Sequence, residues 1–219
     1  YLKESESDKK AVIVVTANRG LAGGYNSNIT RMIIDEGFTK ENTVVYAVGK
    51  KGRELLERKG YEIKADYSEA INDPIYKDAK EICDDVLSAF ADGEVGEIYL
   101  AYTVFKNTVV HEPQLIRLLP VEADDAAHET DGSEALMTYE PSEEEALDMI
   151  IPKYVCSLVY GALIESVASE NGARMQAMDS ATSNAEEMIS TLSLKYNRAR
   201  QASITQELTE IIAGANAIE

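Results

Sequence analysis

The side chains best placed for chemistry in this 219-residue chain follow its first apolar run, residues 11–16. The next segment, NRGLAGGYN at residues 18–26, is a Gly-rich turn of the kind that leads from a strand into a helix. Free N–H groups at such a helix start can bind phosphate. The segment has neither the G-x-G-x-x-G pattern nor the Lys-Ser/Thr pair of nucleotide-binding loops. The residues therefore favour a tight structural turn over an anion site, and the later pair Gly49 and Gly52 favours the same.

Nucleophilic and metal chemistry find little support in the sequence. The two histidines, His111 and His128, form no triad pattern with a Cys or Ser. The two cysteines, Cys83 and Cys156, sit among helical apolar residues, which predicts buried free thiols rather than a disulfide. No Cys/His cluster has the spacing of metal ligands. The residues thus predict neither a catalytic site nor a metal site.

The charge of the chain limits its partners. The formal net charge is −18 at pH 7, whereas a nucleic-acid binder needs clustered Lys and Arg. An anionic membrane surface would repel such a chain for the same reason. Residues 118–152 carry eleven Asp or Glu and no Lys or Arg, which fits a solvated acidic loop leading into a helix. No apolar run approaches the length of about 18 residues that a membrane-spanning helix needs.

The apolar patterns predict an α/β fold with parallel neighbouring strands and right-handed crossovers. Apolar runs and Gly stops predict alternating strands and helices at residues 11–16, 26–36, 43–48, 50–59 and 61–65. After Pro74, apolar residues at helical spacing predict a helix that ends near Gly93. Two strands joined by a tight turn then follow at residues 97–105 and 109–119, and Pro113 puts the second at an edge or a bulge.

Residues 142–219 form one long helical pattern without a proline after Pro152. A straight helix of that length spans about 115 Å, which exceeds a compact globule of this size, so we expect a rod that extends beyond the rest. Pro152 should kink the helix or divide it. The predicted domains are therefore an α/β domain at residues 1–140 and a long C-terminal helix at residues 141–219.

Small and apolar residues beyond Pro152 repeat at alternating spacings of three and four, the pattern of a coiled-coil seam. The seam comprises Met175, Met178, Thr182, Ala185, Ile189, Leu192, Tyr196, Ala199 and Ser203, and it then shifts to Ile204, Leu208, Ile211, Ala215 and Ile218. No other segment of the chain is long enough to cover it. Its partner is either a second copy, in a homodimeric scaffold, or an upstream helix that the chain lacks. The absence of a starting Met favours the upstream helix.

A small basic cluster, Lys195, Arg198 and Arg200, lies near the end of this helix in an otherwise acidic chain. Polar side chains surround it, and a slender tip of small residues follows at 213–217. Five of these side chains form what we call the collar: Arg198, Arg200, Gln201, Thr205 and Glu207. A collar above a slim tip suits insertion into a narrow hole in a partner, whereas a solvated stretch of coiled coil is the plainer interpretation.

Several segments carry a family resemblance. ARMQAMDSATSNA at residues 173–185 and YNRARQASITQELTEI at residues 196–211 closely resemble the gamma subunit of rotary ATP synthases, and RGLAGG at residues 19–24 is similar to that family as well. The resemblance covers essentially the whole chain. It implies a Rossmann-like open-sheet α/β domain whose long C-terminal helix belongs to an antiparallel coiled coil. The N-terminal helix of that coiled coil would be missing here.

The function implied by the resemblance is mechanical, that of a central-stalk rotor subunit. Such a subunit couples ion-driven rotation of a membrane ring to the conformational cycle of the catalytic sites. It is not an enzyme itself and holds no cofactor, because ATP and Mg²⁺ are bound by the alpha and beta subunits. The implied partners are those alpha and beta subunits, the epsilon subunit and the membrane c-ring, with no nucleic acid and no membrane insertion. The implied location is peripheral, on the cytoplasmic side of the cell membrane, in a proton-translocating complex.

The resemblance also assigns residues. The collar matches side chains that meet the catalytic beta subunits, and Tyr139 and Glu140 match the foot that approaches the membrane ring. Two positions depart from the family. Asn18 stands where Asp is usual, and Gly172 stands in mid-helix where Ala is usual, at a cost of about 1 kcal/mol in helix propensity. The remaining alternatives are the homodimeric scaffold and a nucleotide-binding enzyme that uses residues 19–24.

Overall fold

The computed structural model of the chain describes residues 7–121 and 143–216. Strands and helices alternate through these ranges, as the apolar patterns predict. In chain order the elements are β1 (Lys10–Val15), α1 (Tyr25–Asp35), β2 (Thr43–Val48), α2 (Lys50–Arg58), β3 (Glu62–Asp66), α3 (Tyr76–Ala91), β4 (Glu97–Phe105), β5 (His111–Leu119) and α4 (Glu143–Asn216).

The strands form one mixed sheet in the order β3-β2-β1-β4-β5. The first four strands are parallel and β5 runs antiparallel to β4. The α/β fold with parallel neighbours is therefore confirmed. Pro113 lies on the edge strand β5, opposite Thr103 of β4. The edge position was predicted because proline has no N–H group to donate to a neighbouring strand.

Most predicted element bounds are shifted by one or two residues, and one shift has a clear cause. Strand β5 was expected to begin at Val109, yet it begins at His111. The Oδ1 atom of Asn107 accepts hydrogen bonds from the N–H groups of Val109 and Val110, at 2.9 and 2.8 Å. These two N–H groups are held by the turn, so the ladder starts only after them.

Both faces of the sheet are covered, which parallel strands require. Side chains of β1 alternate between the faces: Val12 and Val14 pack in a core with α1 and α2. Ala11, Ile13 and Val15 pack in a second core with α3 and α4. The thiols of Cys83 and Cys156 are free and buried in this second core, as predicted.

Helix α4 is continuous through Pro152, so the expected division of the helix there is wrong. The N–H group that proline lacks would have bonded to the carbonyl of Asp148, which lies at an exposed position where water can replace it. Around Pro152 the helix is held by the sheet, because Ile151 and Val155 are buried in the second core. Tertiary packing thus outweighs the local preference of one residue.

The chain forms two compact units, Tyr1–Gln176 and Ala177–Glu219. The N-terminal part of α4 therefore belongs to the unit that contains the sheet, and the helix continues into the second unit. The predicted domain boundary between residues 140 and 141 lies outside the described residues.

Two glycines of α4 give a matched test of this packing. A Cβ atom at Gly161 would meet no atom within 4 Å, whereas one at Gly172 would lie 3.0 Å from Cε1 of His111. We expect Gly161→Ala to raise the free energy of unfolding by about 0.5–1 kcal/mol through helix propensity. Gly172→Ala should gain less or lose stability, because the same propensity gain is opposed by crowding. Urea unfolding of both variants measures the difference, and equal gains would contradict the close approach at Gly172.

Candidate functional site

The carboxyl edge of the parallel strands is where open α/β sheets bind ligands, at the point where the strand order reverses. Here that point lies between β1 and β4. The loop after β1 runs past it and contains two unusual backbone positions. Leu21 has a positive φ of 63° and is 76% exposed, and Gly23 has a positive φ of 56°.

The N–H groups that begin helix α2 are already bonded within the protein. Lys50 N donates to Oδ1 of Asn18 at 2.9 Å, Lys51 N to the carbonyl of Ala17 at 3.0 Å, and Gly52 N to Oγ1 of Thr16 at 2.9 Å. The end of β1 therefore caps this helix. A phosphate could reach these groups only by displacing that cap, so they do not form an open anion site.

The second glycine pair allows this close approach. A Cβ atom at Gly49 would lie 2.1 Å from the carbonyl oxygen of Thr16, and one at Gly52 would lie 2.5 Å from its hydroxyl. Gly49 also has a positive φ of 119°, which residues with side chains rarely adopt. The structural interpretation of this glycine pair is confirmed.

The side-chain amide of Asn18 forms hydrogen bonds through both its oxygen and its nitrogen. Its Oδ1 atom accepts from Lys50 N, and its Nδ2 group donates to the carbonyl of Ser68 at 2.6 Å and to Oδ1 of Asn72 at 3.0 Å. An aspartate could make the first bond but, when ionised, could not donate the other two. The departure from the family at this position thus has a structural role, because the amide ties the loop after β1 to those after β2 and β3.

Helix α4 occupies the rest of the edge. Ala173 packs in a small core with Ala17, Ala22 and Tyr25. The hydroxyl of Tyr25, the first residue of α1, donates to the backbone carbonyl of Ser166 at 3.1 Å. Burial raises the pKa of Tyr25 well above its ordinary value, although the nearby side-chain hydroxyls of Ser166 and Thr103 oppose the shift. The phenol therefore stays protonated and remains a donor throughout the physiological range.

Two further contacts hold the same face of α4. The hydroxyl of Ser169 donates to the carbonyl of Thr103 on β4 at 3.2 Å. Gly172 lies against the turn between β4 and β5, where a Cβ atom would be 3.3 Å from the carbonyl of Thr108. The sequence analysis treated Gly172 only as a helix-propensity cost and did not identify the serines. The available signal was a polar residue at 166 and 169 on an otherwise apolar buried face.

The collar lies on α4 in the second unit, and each of its side chains is exposed. Arg198, Gln201 and Thr205 follow spacings of three and four and share one face of the helix. Arg200 and Glu207 are seven residues apart and share a different face. The hydroxyl of Thr205 donates to the carbonyl of Gln201 at 2.8 Å, so its lone pairs stay available to a partner. The five side chains thus lie within about three turns of the helix but not on one surface.

From Met178 to Ile211 the predicted seam is an exposed stripe in the same unit. Ile189, Leu192 and Tyr196 are 64%, 63% and 66% exposed, respectively. By length and composition alone, α4 also contains a stretch apolar enough to cross a membrane, within Glu145–Gly214. Part of this apolar character has another cause, since Val159 and Leu163 pack on the sheet. The residues of the stripe are not buried in this way, so they still need a covering surface.

Other predicted sites receive no structural description. Tyr139 and Glu140, the predicted foot, lie outside the described residues, as does His128. Within residues 7–121 and 143–216, no three His, Cys, Asp or Glu side chains are grouped so that they could hold a metal ion.

The chain was compared with known proteins. A protein-family model described as "ATP synthase" matches residues 1–218. The ATP synthase gamma chain of Lachnoclostridium phytofermentans is 66% identical, over 100% of this chain and 77% of that protein. The sodium-ion-specific gamma chain of Acetobacterium woodii is 42% identical, over 100% and 78%. The central stalk/c-ring structure of Tetrahymena thermophila mitochondrial ATP synthase matches with a TM-score of 0.63 and 25% identity, over 82% of this chain and 79% of that chain.

Substitution of Asn18 tests its two-sided role. We expect Asn18→Asp to lower the free energy of unfolding by about 1–3 kcal/mol at neutral pH, because the carboxylate faces two oxygen acceptors without a donor. The deficit should shrink as the pH falls, since a protonated carboxyl can donate to the carbonyl of Ser68. Asn18→Ala, which lacks both functions, should show a deficit that does not depend on the pH in this way. Urea unfolding at several pH values measures both variants, and equal pH profiles would refute the assignment.

Proposed function

Because this chain belongs to the gamma-chain family of ATP synthases, we propose how its residues serve that assembly. The chain is a central-stalk rotor subunit, which couples ion-driven rotation mechanically to the conformational cycle of the catalytic sites. It belongs to a membrane-associated complex with a catalytic head and a c-ring. The roles of individual residues and partners in this complex are our proposals.

The collar is proposed to contact the alpha and beta subunits of the catalytic head. The observation that carries this assignment is the position of a basic cluster on an acidic chain. Residues 188–206 contain no Asp or Glu but include Lys195, Arg198 and Arg200, all of them exposed. Arginine forms paired hydrogen bonds with carboxylates and is a common anchor at interfaces. Neighbouring amide and hydroxyl groups add shorter-range polar contacts.

The two faces of the collar suit a rotor within a ring of three alpha and three beta subunits. A single helical chain has no threefold symmetry, so at any moment the three catalytic sites meet different side chains. Arg198 and Gln201 lie on one face and Arg200 and Glu207 on another, so the polar groups differ around the axis. Unequal contacts with chemically equal sites bias each site toward a different conformation, which is the requirement for coupling.

The apolar stripe is proposed to pack against a second, antiparallel helix of the shaft. An exposed row containing Ile189, Leu192 and Tyr196 is stable in water only when another surface covers it. Its alternating spacing of three and four fits knobs-into-holes packing with one helix. A homodimer would cover the stripe equally well, and sedimentation of the chain with and without its head partners distinguishes the two arrangements.

The chain itself is proposed to carry out no chemistry and to hold no cofactor. In support, its ligand-binding edge is filled by α4, and the starting N–H groups of α2 are capped by β1. ATP and Mg²⁺ are then bound by the alpha and beta subunits. The nucleotide-binding alternative predicts saturable ATP binding to the isolated chain, which equilibrium dialysis would detect.

The remaining contacts are proposed at the other end of the stalk. Tyr139 and Glu140 are assigned to the foot that approaches the membrane ring, and the epsilon subunit is expected beside it. The chain would be peripheral, on the cytoplasmic side of the cell membrane, without inserting into it. We expect proton transport, although the ion is selected by the membrane ring rather than by this chain. The relative from Acetobacterium woodii, named as sodium ion specific, is consistent with that separation.

The collar assignment predicts a coupling defect without unfolding. Truncating an interface anchor costs about 1 kcal/mol or more, which corresponds to about fivefold in an equilibrium. We expect Arg200→Ala or Gln201→Ala to lower ion-driven ATP synthesis by roughly that factor in reconstituted complexes. Circular dichroism and thermal unfolding of the chain should stay unchanged.

Arg31→Ala is the matched control, because Arg31 is an exposed arginine on α1, in the other unit. Its loss should leave synthesis unaffected. Normal synthesis in complexes that carry both collar substitutions would remove the collar from the proposed interface.

A further inference from the structure

Three positions on one face of α4 each meet a different element of the α/β unit. The carbonyl of Ser166 accepts from the hydroxyl of Tyr25 on α1, and the hydroxyl of Ser169 donates to the carbonyl of Thr103 on β4. Gly172 lies against the turn between β4 and β5, where a Cβ atom would be 3.0 Å from Cε1 of His111 and 3.3 Å from the carbonyl oxygen of Thr108. The positions are three residues apart and therefore lie along one side of the helix. They fall in the last turns of α4 before the first unit ends at Gln176.

These contacts differ in kind from the rest of the α4 interface. Ile151, Val155, Val159 and Leu163 make apolar contacts with the sheet, and apolar burial is not directional. This apolar face strongly opposes separation of α4 from the sheet. It opposes small rotations or sliding of the helix only through the fit of its side chains. Hydrogen bonds, in contrast, require defined distances and angles. The turn between β4 and β5, which packs against Gly172, likewise fits at only one position along the helix.

The two hydrogen bonds connect the same face of the helix to two different elements. One is donated to the helix backbone by α1, and the other is donated by a helix side chain to β4. Tyr25, Thr103, Ser166 and Ser169 are all buried, so water does not compete for these bonds. Rotation of α4 about its own axis would break at least one of them and leave buried groups without a partner.

We propose that Tyr25, Thr103, Ser166, Ser169 and Gly172 form a helix clamp that transmits torque between the α/β unit and the part of α4 that carries the collar. Helix α4 is continuous from the clamp to Asn216, so a rotation of the helix at Ser169 is also a rotation of its later residues. A rotor must carry torque without slipping, and the clamp supplies the directional resistance that an apolar face lacks. The inference rests on the rotor function and goes beyond it by assigning residues to the transmission step.

The chain contains a matched pair that separates the clamp from general stability. Ser157 and Ser169 both lie on α4, but Ser157 is exposed and outside the clamp, while the hydroxyl of Ser169 is buried and bonds to Thr103. Ser157→Ala removes a hydroxyl at an exposed position and leaves every clamp contact in place. Ser169→Ala removes the same group from the same helix together with a clamp bond. Tyr25→Phe removes the other bond and keeps the aromatic ring.

The experiment uses ATP synthase complexes reconstituted into vesicles with four versions of the chain: wild type, Ser157→Ala, Ser169→Ala, and Tyr25→Phe with Ser169→Ala. For each we would measure assembly, ATP hydrolysis and the number of ions pumped per ATP hydrolysed. Each lost bond should raise the population of displaced helix positions by about fivefold. We expect the double variant to keep hydrolysis while its pumping ratio falls below about half of the wild-type value. Ser169→Ala should lie between, and Ser157→Ala should match the wild type.

The other outcomes overturn the inference in distinguishable ways. A double variant that assembles less well but pumps normally per hydrolysed ATP would mean that the contacts only stabilise the fold. Equal loss in Ser157→Ala and Ser169→Ala would mean that the bond to Thr103 is irrelevant. If the double variant does not assemble, the two single serine variants decide the question by the same ratio. Failure of the wild-type chain to support pumping would instead contradict the rotor function itself.

Discussion

The fold of this protein depends on one packing relation, the seating of the N-terminal part of α4 on the sheet. Parallel strands must be covered on both faces, and one helix such as α3 is too narrow to cover a face of five strands. Helix α4 completes that face with Ile151, Val155, Val159 and Leu163. The same seating carries the helix through Pro152, where local preference alone would end it. The sheet and the N-terminal part of α4 therefore share one hydrophobic core and belong to one compact unit.

The same relation changes what the carboxyl edge of the sheet can do. In an open α/β sheet this edge is a ligand site because the loops diverge there and leave a crevice. Here the crevice is filled by Ala173, Ser166 and Ser169 of α4. The first N–H groups of α2 are hydrogen-bonded to residues that follow the end of β1. A site that binds small molecules in other proteins of this architecture has become the attachment point of a mechanical element.

The sequence permitted good predictions where structure follows from local periodicity. Strand β4 was predicted at its observed bounds, and the exposed stripe on α4 was visible from spacings of three and four. Contacts between distant segments were not accessible. Tyr25 and Ser166 are 141 residues apart, and nothing in either neighbourhood indicates the other. Gly172 was interpreted through helix propensity, although the structure explains it by the approach of Thr108 and His111. The collar was identified through resemblance and charge, and its partner contacts remain predictions.

The filled carboxyl edge has a pharmacological consequence. A compound that entered the space between β1, β4 and α4 would compete with the protein's own helix rather than with a substrate. It would need to match buried apolar surface and to replace the bonds made by Tyr25 and Ser169. Its effect would not be inhibition in the usual sense, because we propose that nucleotide turnover takes place in the alpha and beta subunits. Such a compound would act as a mechanical uncoupler, separating fuel consumption from work.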